Sequence, residues 1–133
     1  MHGIIESHIE EAALTWLSDL HYSVIFGPEI APGEARAERS SYHEYILQRR
    51  LNHAIRKLNT SIPSDALDDA FRKVTIPTSP SLAINNRNFH KMLVEGVEVE
   101  YQRPDGSIAG NRVKLADFEN PENNDWLAVN QFT

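Results

Sequence analysis

Asp117-Phe118-Glu119-Asn120-Pro121-Glu122-Asn123-Asn124-Asp125, running directly into Trp126-Leu127-Ala128-Val129-Asn130-Gln131-Phe132, is the stretch on which the fold turns. The first nine residues combine solvated carboxylates, three asparagines and a proline, a composition that makes turns and disfavours both helix and strand. Five of the next seven are apolar, with aromatic and β-branched members, and they predict a strand over about 126–132. Just upstream, Val97, Val99 and Tyr101 alternate with Glu98 and Glu100. Pro104-Asp105-Gly106 follows as a turn, then Val113 and Leu115 alternate with Arg112 and Lys114. The period of two predicts a β-hairpin over about 97–118.

Ahead of the hairpin the period becomes helical. Ser7 and Glu10 have the spacing of a capping box, and Ile9, Ala13, Trp16, Leu17 and Leu20 then form one apolar stripe, which predicts a first helix over 7–20 ending at His21. Tyr22 to Phe26 reads as a short strand that Gly27-Pro28 stops. Glu29 to Ser40 is a loop. A second capping box at Ser41 and Glu44 predicts a long second helix with Leu47, Leu51, Ala54, Ile55 and Leu58 on its apolar face and Asn59-Thr60-Ser61 at its end. A third helix begins near Pro63, with Asp65, Asp68 and Asp69 early and Arg72 and Lys73 late, matching the helix dipole. Its face is Leu67, Ala70, Phe71 and Val74. Ser79 is positioned to cap a fourth helix carrying Leu82, Phe89, Met92 and Leu93, which Gly96 ends. The expectation is a single α+β domain over 1–133, mainly helices packed on a small mixed β-sheet. Trp16 and Phe89 are expected in the core and Trp126 as an anchor at the strand end. The last strand is expected to pair with further strands beyond Thr133.

Composition removes several functional classes. The chain has no cysteine, which excludes disulfides, thiolate zinc sites and a cysteine nucleophile. No apolar run is long enough to span a bilayer, and the opening Met1-His2-Gly3-Ile4-Ile5-Glu6 lacks the form of a secretory signal. A formal charge of −6 means that any contact with nucleic acid is made by a local basic patch or within a larger assembly. None of the six histidines (His2, His8, His21, His43, His53, His90) stands four residues from another, so no helical metal pair is presented.

Several segments, in order along the chain, resemble the start of the R (restriction, HsdR) subunit of type I restriction-modification enzymes. They are Glu6-Ser7-x-x-Glu10-Glu11-Ala12-Ala13-Leu14-x-Trp16-Leu17, Gly27-Pro28-x-Ile30-Ala31-Pro32, and Asn85-Asn86-Arg87-x-Phe89-His90-x-x-Leu93-Val94-Glu95-Gly96-Val97. The most specific is the opening stretch, Asp117 to Asp125 with Val129-Asn130-Gln131-Phe132. The resemblance implies a nuclease of the PD-(D/E)xK type, followed in the whole subunit by ATP-dependent helicase motors. The subunit joins a methyltransferase core and acts in the cytoplasm. Residues 7–20 would be the first core helix and 126–132 the first core strand of an incomplete restriction-endonuclease-like core, with residues about 41–95 a helical insertion. The metal-binding Asp and the Glu-x-Lys of that pattern are not in this chain, and there is no phosphate-loop motif. The resemblance therefore implies a fragment without its own cofactor or metal site. The whole subunit would use Mg²⁺ and ATP, with DNA and the modification (M) and specificity (S) subunits as partners. It also implies that Asn123 and Asn124 hold the acidic turn by bonding backbone groups.

Candidate site residues are few. Glu10, and Glu6 one turn before it, stand where nucleases of this type carry a metal-proximal acid on the first helix; the plainer role for Glu10 is closing a capping box. Arg49, Arg50, Arg56 and Lys57, with His53 among them, are candidates for phosphate contacts, against the ordinary alternative of a solvated helix face. Arg87 and Lys91, one turn apart, carry the same two readings. Asp117, Glu119, Glu122 and Asp125 lack the spacing of a calcium loop and read as solvated turn residues. Two other classes stay open. One is a complete protein-binding module with no enzymatic role. The other is a stand-alone metal hydrolase built on Glu6, Glu10 and the Asp117–Asp125 turn.

Overall fold

The structure is a computed structural model that describes residues 3–133; His2 and the first residues of the N-terminal reading lie outside them. The chain forms two compact units, Met1–Leu47 with Asp125–Thr133, and Gln48–Asn124.

In the first unit, helix α1 (Glu6–Asp19) precedes strand β1 (Ser23–Phe26). The returning strand β4 (Leu127–Asn130) pairs with β1 in parallel, Ser23 opposite Leu127 and Phe26 opposite Asn130, and α1 packs against both strands. A Schellman motif ends the helix. The Tyr22 amide donates to Leu17 O and the His21 amide to Ser18 O, with His21 in the left-handed region at φ 71. The expected capping box is not formed. The N-cap is Ile5, with no side-chain bond. Ser7 therefore sits inside the first turn, out of reach of the amides it would cap. The inward side of α1 also differs from the apolar stripe. Glu10, Leu14 and Leu17 are half-buried, whereas Ile9, Leu20 and Trp16, the last 69% exposed, face solvent.

The second unit holds α2 (Gln48–Leu58), α3 (Ser64–Thr75), α4 (Leu82–Glu95) and a hairpin of β2 (Val97–Gln102) with β3 (Ile108–Val113). The hairpin is antiparallel, Val97 opposite Val113, and α3 packs on β2 and on α2. Its core is Ile55, Ile62, Ala66, Leu67, Ala70, Val97, Val99 and Val113, with Leu51, Phe71, Val74, Met92, Tyr101 and Leu115 around it. The helical and alternating spacings select most of these residues; Ile62 and Ala66 are the two buried members that they do not pick out. At about 25 cal/mol per Å² the burial of this core is the main force holding the unit together.

The second helix starts at Gln48 rather than at Ser41. Local side-chain bonds win over helix in 40–47: Ser40 N and Oγ both donate to Glu44 (3.0 and 2.6 Å), and the His43 amide donates to Ser41 Oγ. Ser81, not Ser79, caps α4, accepting from the Ile84 amide, while Ser79 Oγ accepts from Ser81 N. Gly96 does end that helix, at φ 85. Phe89 is not core; it is 46% exposed. The fold is α+β, with parallel and antiparallel strands arranged as two two-stranded ladders. The last strand finds its partner in β1.

Candidate functional site

The first unit brings one of the two expected acids to a defined place. Glu10 lies on the half-buried side of α1, and both its carboxylate oxygens accept from the side-chain amide of Gln131, at 3.0 and 3.2 Å. Gln131 is the residue after β4 and sits at φ 51, a conformation that non-glycine residues adopt only under local constraint. Glu6 is exposed and makes no such contact.

Close packing fixes the strand end beside this pair. A Cβ on Gly27 would lie 2.4 Å from the main-chain oxygens of Asn130 and of Gln131, so only glycine fits. Trp126, ahead of β4, stacks at a tilt on Tyr22, ahead of β1, with ring centroids 5.4 Å apart. The Ser23 amide donates to Trp126 O at 2.8 Å. Trp126 is thus the expected anchor. Arg39, which the sequence reading passed over as a loop residue, is 5% exposed, bonds to the carbonyl of Glu44 and stacks on the Phe132 ring. Its signal is faint: one arginine in a polar loop.

In the second unit Asn124 holds the acidic turn through backbone groups, as expected, whereas the Asn123 side chain holds it through the Asp117 carboxylate. Asn124 accepts from the Asp117 amide (2.7 Å) and donates to the Asp117 carbonyl (2.8 Å). Asp117 Oδ1 accepts from the Glu119 and Asn120 amides and Oδ2 from Asn123 Nδ2. The Asn120 amide, then the Asn123 side chain, hold the Asp117 carboxyl below its ordinary pKa. Its oxygens are thus occupied by the turn itself.

The basic residues of α2 divide by partner. Arg56 is committed internally, to Asn52, Ser64 and, at 2.6 Å, Asp68. Arg50 also has a partner. Arg49, His53 and Lys57 are exposed and recur every four residues, which aligns them along one face. Arg87 and Lys91 are likewise exposed on α4.

No three His, Asp or Glu side chains gather as metal ligands among the described residues. No described helix is long and apolar enough to cross a membrane.

A parallel strand pair under a helix whose acid reaches the strand end defines a framework, and comparison with known proteins says which one. Residues 4–133 match the family described as Type I restriction enzyme R protein N terminus; the chain belongs to that family. It is 32% identical over 126 residues to the "Type I restriction enzyme HindI endonuclease subunit" of Haemophilus influenzae, covering 95% of this chain and 12% of that protein. It is 34% identical over 124 residues to the "Putative type I restriction enzyme MjaIXP endonuclease subunit" of Methanocaldococcus jannaschii, covering 93% and 12%. The chain thus spans about an eighth of the length of these relatives. No solved structure matches it.

Proposed function

We propose that this chain serves as the front of the nuclease region in the R subunit of a type I restriction-modification enzyme. The carrying observation is the family match over residues 4–133. In this reading the whole subunit moves along and cleaves DNA using ATP and Mg²⁺, in the cytoplasm, together with M and S subunits. Glu10 is the first-helix acid near the metal. Its support is that the half-buried side of α1 delivers its carboxylate to the end of β4. Glu6, which is exposed, has a lesser part. The α2 bases supply phosphate contacts through Arg49 and Lys57 first, because Arg56 is already engaged by Asp68. Because the catalytic Asp and Glu-x-Lys are absent from these residues, the chain alone does not cut DNA.

The exposed Ile9, Trp16 and Leu20 row on α1 favours a second reading, a module whose work is protein contact. One experiment separates them. The gene is read past the codon for Thr133 for an Asp and a Glu-x-Lys. The encoded protein is then assayed with M and S subunits for Mg²⁺- and ATP-dependent cleavage. Cleavage that Glu10→Ala reduces by tenfold or more supports the nuclease reading. A protein without those motifs and without cleavage replaces it with the contact module.

A further inference from the structure

Arg39 is a buried charge held chiefly by main-chain carbonyls. Only 5% of its surface reaches solvent, although arginine is seldom buried unless paired. Its Nη1 donates to Glu44 O at 3.2 Å and more weakly to Tyr42 O, and its Nη2 to Thr133 O. The guanidinium lies 4.1 Å from the centre of the Phe132 ring and 5.3 Å from that of Tyr42. Its Nε finds no acceptor among the described residues. A buried and incompletely bonded cation is a poor way to stabilise a loop, so its use lies in what it holds.

What it holds is the chain just after β4. Phe132 is gripped by the stack. The preceding residue, Gln131, is left-handed at φ 51; a glutamine stays there only where its surroundings impose it. That turn of the backbone aims the Gln131 amide at Glu10. We infer that Arg39 is the positioning residue of this site. By clamping Phe132 to the Tyr42–Glu44 turn, it keeps Gln131 left-handed and its amide on Glu10. That the site belongs to a nuclease rests on the function proposed above; the clamp itself does not.

The test is a double-mutant cycle between Glu10→Ala and Gln131→Ala, read by urea unfolding in several backgrounds. In the native chain, and with the packing variant Ile30→Val, the two substitutions are coupled. With Arg39→Lys the coupling vanishes, because an ammonium keeps the charge but lacks the planar fork and the stacking face. Phe132→Leu, which removes the stack and leaves Arg39 in place, weakens the coupling and serves if Arg39→Lys does not fold. Coupling that persists in both overturns the inference. In the whole R subunit, Arg39→Lys slows cleavage by the same factor as Gln131→Ala and leaves DNA binding unchanged; cleavage that Gln131→Ala slows and Arg39→Lys leaves untouched also overturns it. A native subunit that cuts no DNA removes the nuclease reading instead, and the cycle still decides whether the clamp exists.

Discussion

Glu10 and Gln131 are 121 residues apart in sequence and joined at 3.0 and 3.2 Å, one side-chain amide serving both oxygens of one carboxylate. The bond ties the first helix to the end of the last strand of the unit, so the acid is oriented by β4 and not by its own helix. A capping role would have turned Glu10 back onto the amide of Ser7. The helix begins at Glu6 instead, which frees the carboxylate to reach across to the strand.

That geometry depends on the strands lying close where they end, and Gly27 permits it. Gly27→Ala would place a methyl group 2.4 Å from two carbonyl oxygens, forcing β1 and β4 apart. We expect a loss of about 1–3 kcal/mol or more, read by urea unfolding. An unchanged midpoint would mean that the strand ends are not packed as described.

Much of the second unit was legible because its core follows simple periods: Leu67, Ala70, Phe71 and Val74 at helical spacing, Val97 and Val99 at alternate positions. The first unit was less so. Trp16 completes an apolar stripe at helical spacing, but spacing reports only that residues share a face, not that the face is covered. Ser41 and Glu44 match a capping box, but Ser40 competes for the same carboxylate, a contest between local bonds that a spacing rule does not weigh. Glu10 could be singled out from the sequence. Its partner Gln131 and the clamp at Arg39 could not, since both contacts span more than ninety residues and depend on parallel pairing between β1 and β4.

Asn59 is a buried polar residue whose place in the second unit is structural. Its Nδ2 donates to Ile55 O (2.7 Å) and Lys114 O (2.9 Å), and its Oδ1 accepts from the Lys114 amide (2.8 Å). This closes α2 and pins the chain leaving β3. Asn59→Leu leaves an amide and carbonyls without partners and should cost about 2–3 kcal/mol. A loss below about half a kcal/mol would show that these bonds are replaced by water.

Asp117 gives the acidic turn a pH dependence with a defined sign. Its carboxyl is held below the ordinary value of 3.8 by the Asn120 amide first, and by Asn123 and the Glu119 amide. The stabilisation is therefore full above that value and is lost as pH falls below it, through the lowered folded pKa. In an NMR titration, the Asn123 side-chain and Asn120 backbone amide signals should move together below pH 3.8 and stay constant above it. Asp117→Asn should abolish the transition. Movement only above that value would contradict the assigned bonds.

The two sides of α1 predict opposite responses to substitution. Trp16 is 69% exposed, so Trp16→Ser should change stability by no more than about 0.5 kcal/mol. Leu17, half-buried on the inward side, should cost on the order of 1–2 kcal/mol as alanine, less than the roughly 2–5 of a full core position. Equal and large losses would mean that the Trp16 face is covered.

The α2 bases are separable by salt dependence. Arg49 and Lys57 are exposed on one face, so each, if it meets a phosphate, releases counterions when DNA binds. Arg49→Ala and Lys57→Ala should each reduce the slope of log affinity against log salt by about 1, with little change in stability. Arg56→Ala should do the reverse. It breaks the bonds to Asn52, Ser64 and Asp68 and costs about 1 kcal/mol, discounted because the ion pair is partly solvated, while the slope stays as it was. The measurement is fluorescence anisotropy of a labelled duplex titrated at several salt concentrations, beside urea unfolding of each variant. A slope that none of the three changes would remove α2 from the DNA interface and leave its charges as a solvated helix face.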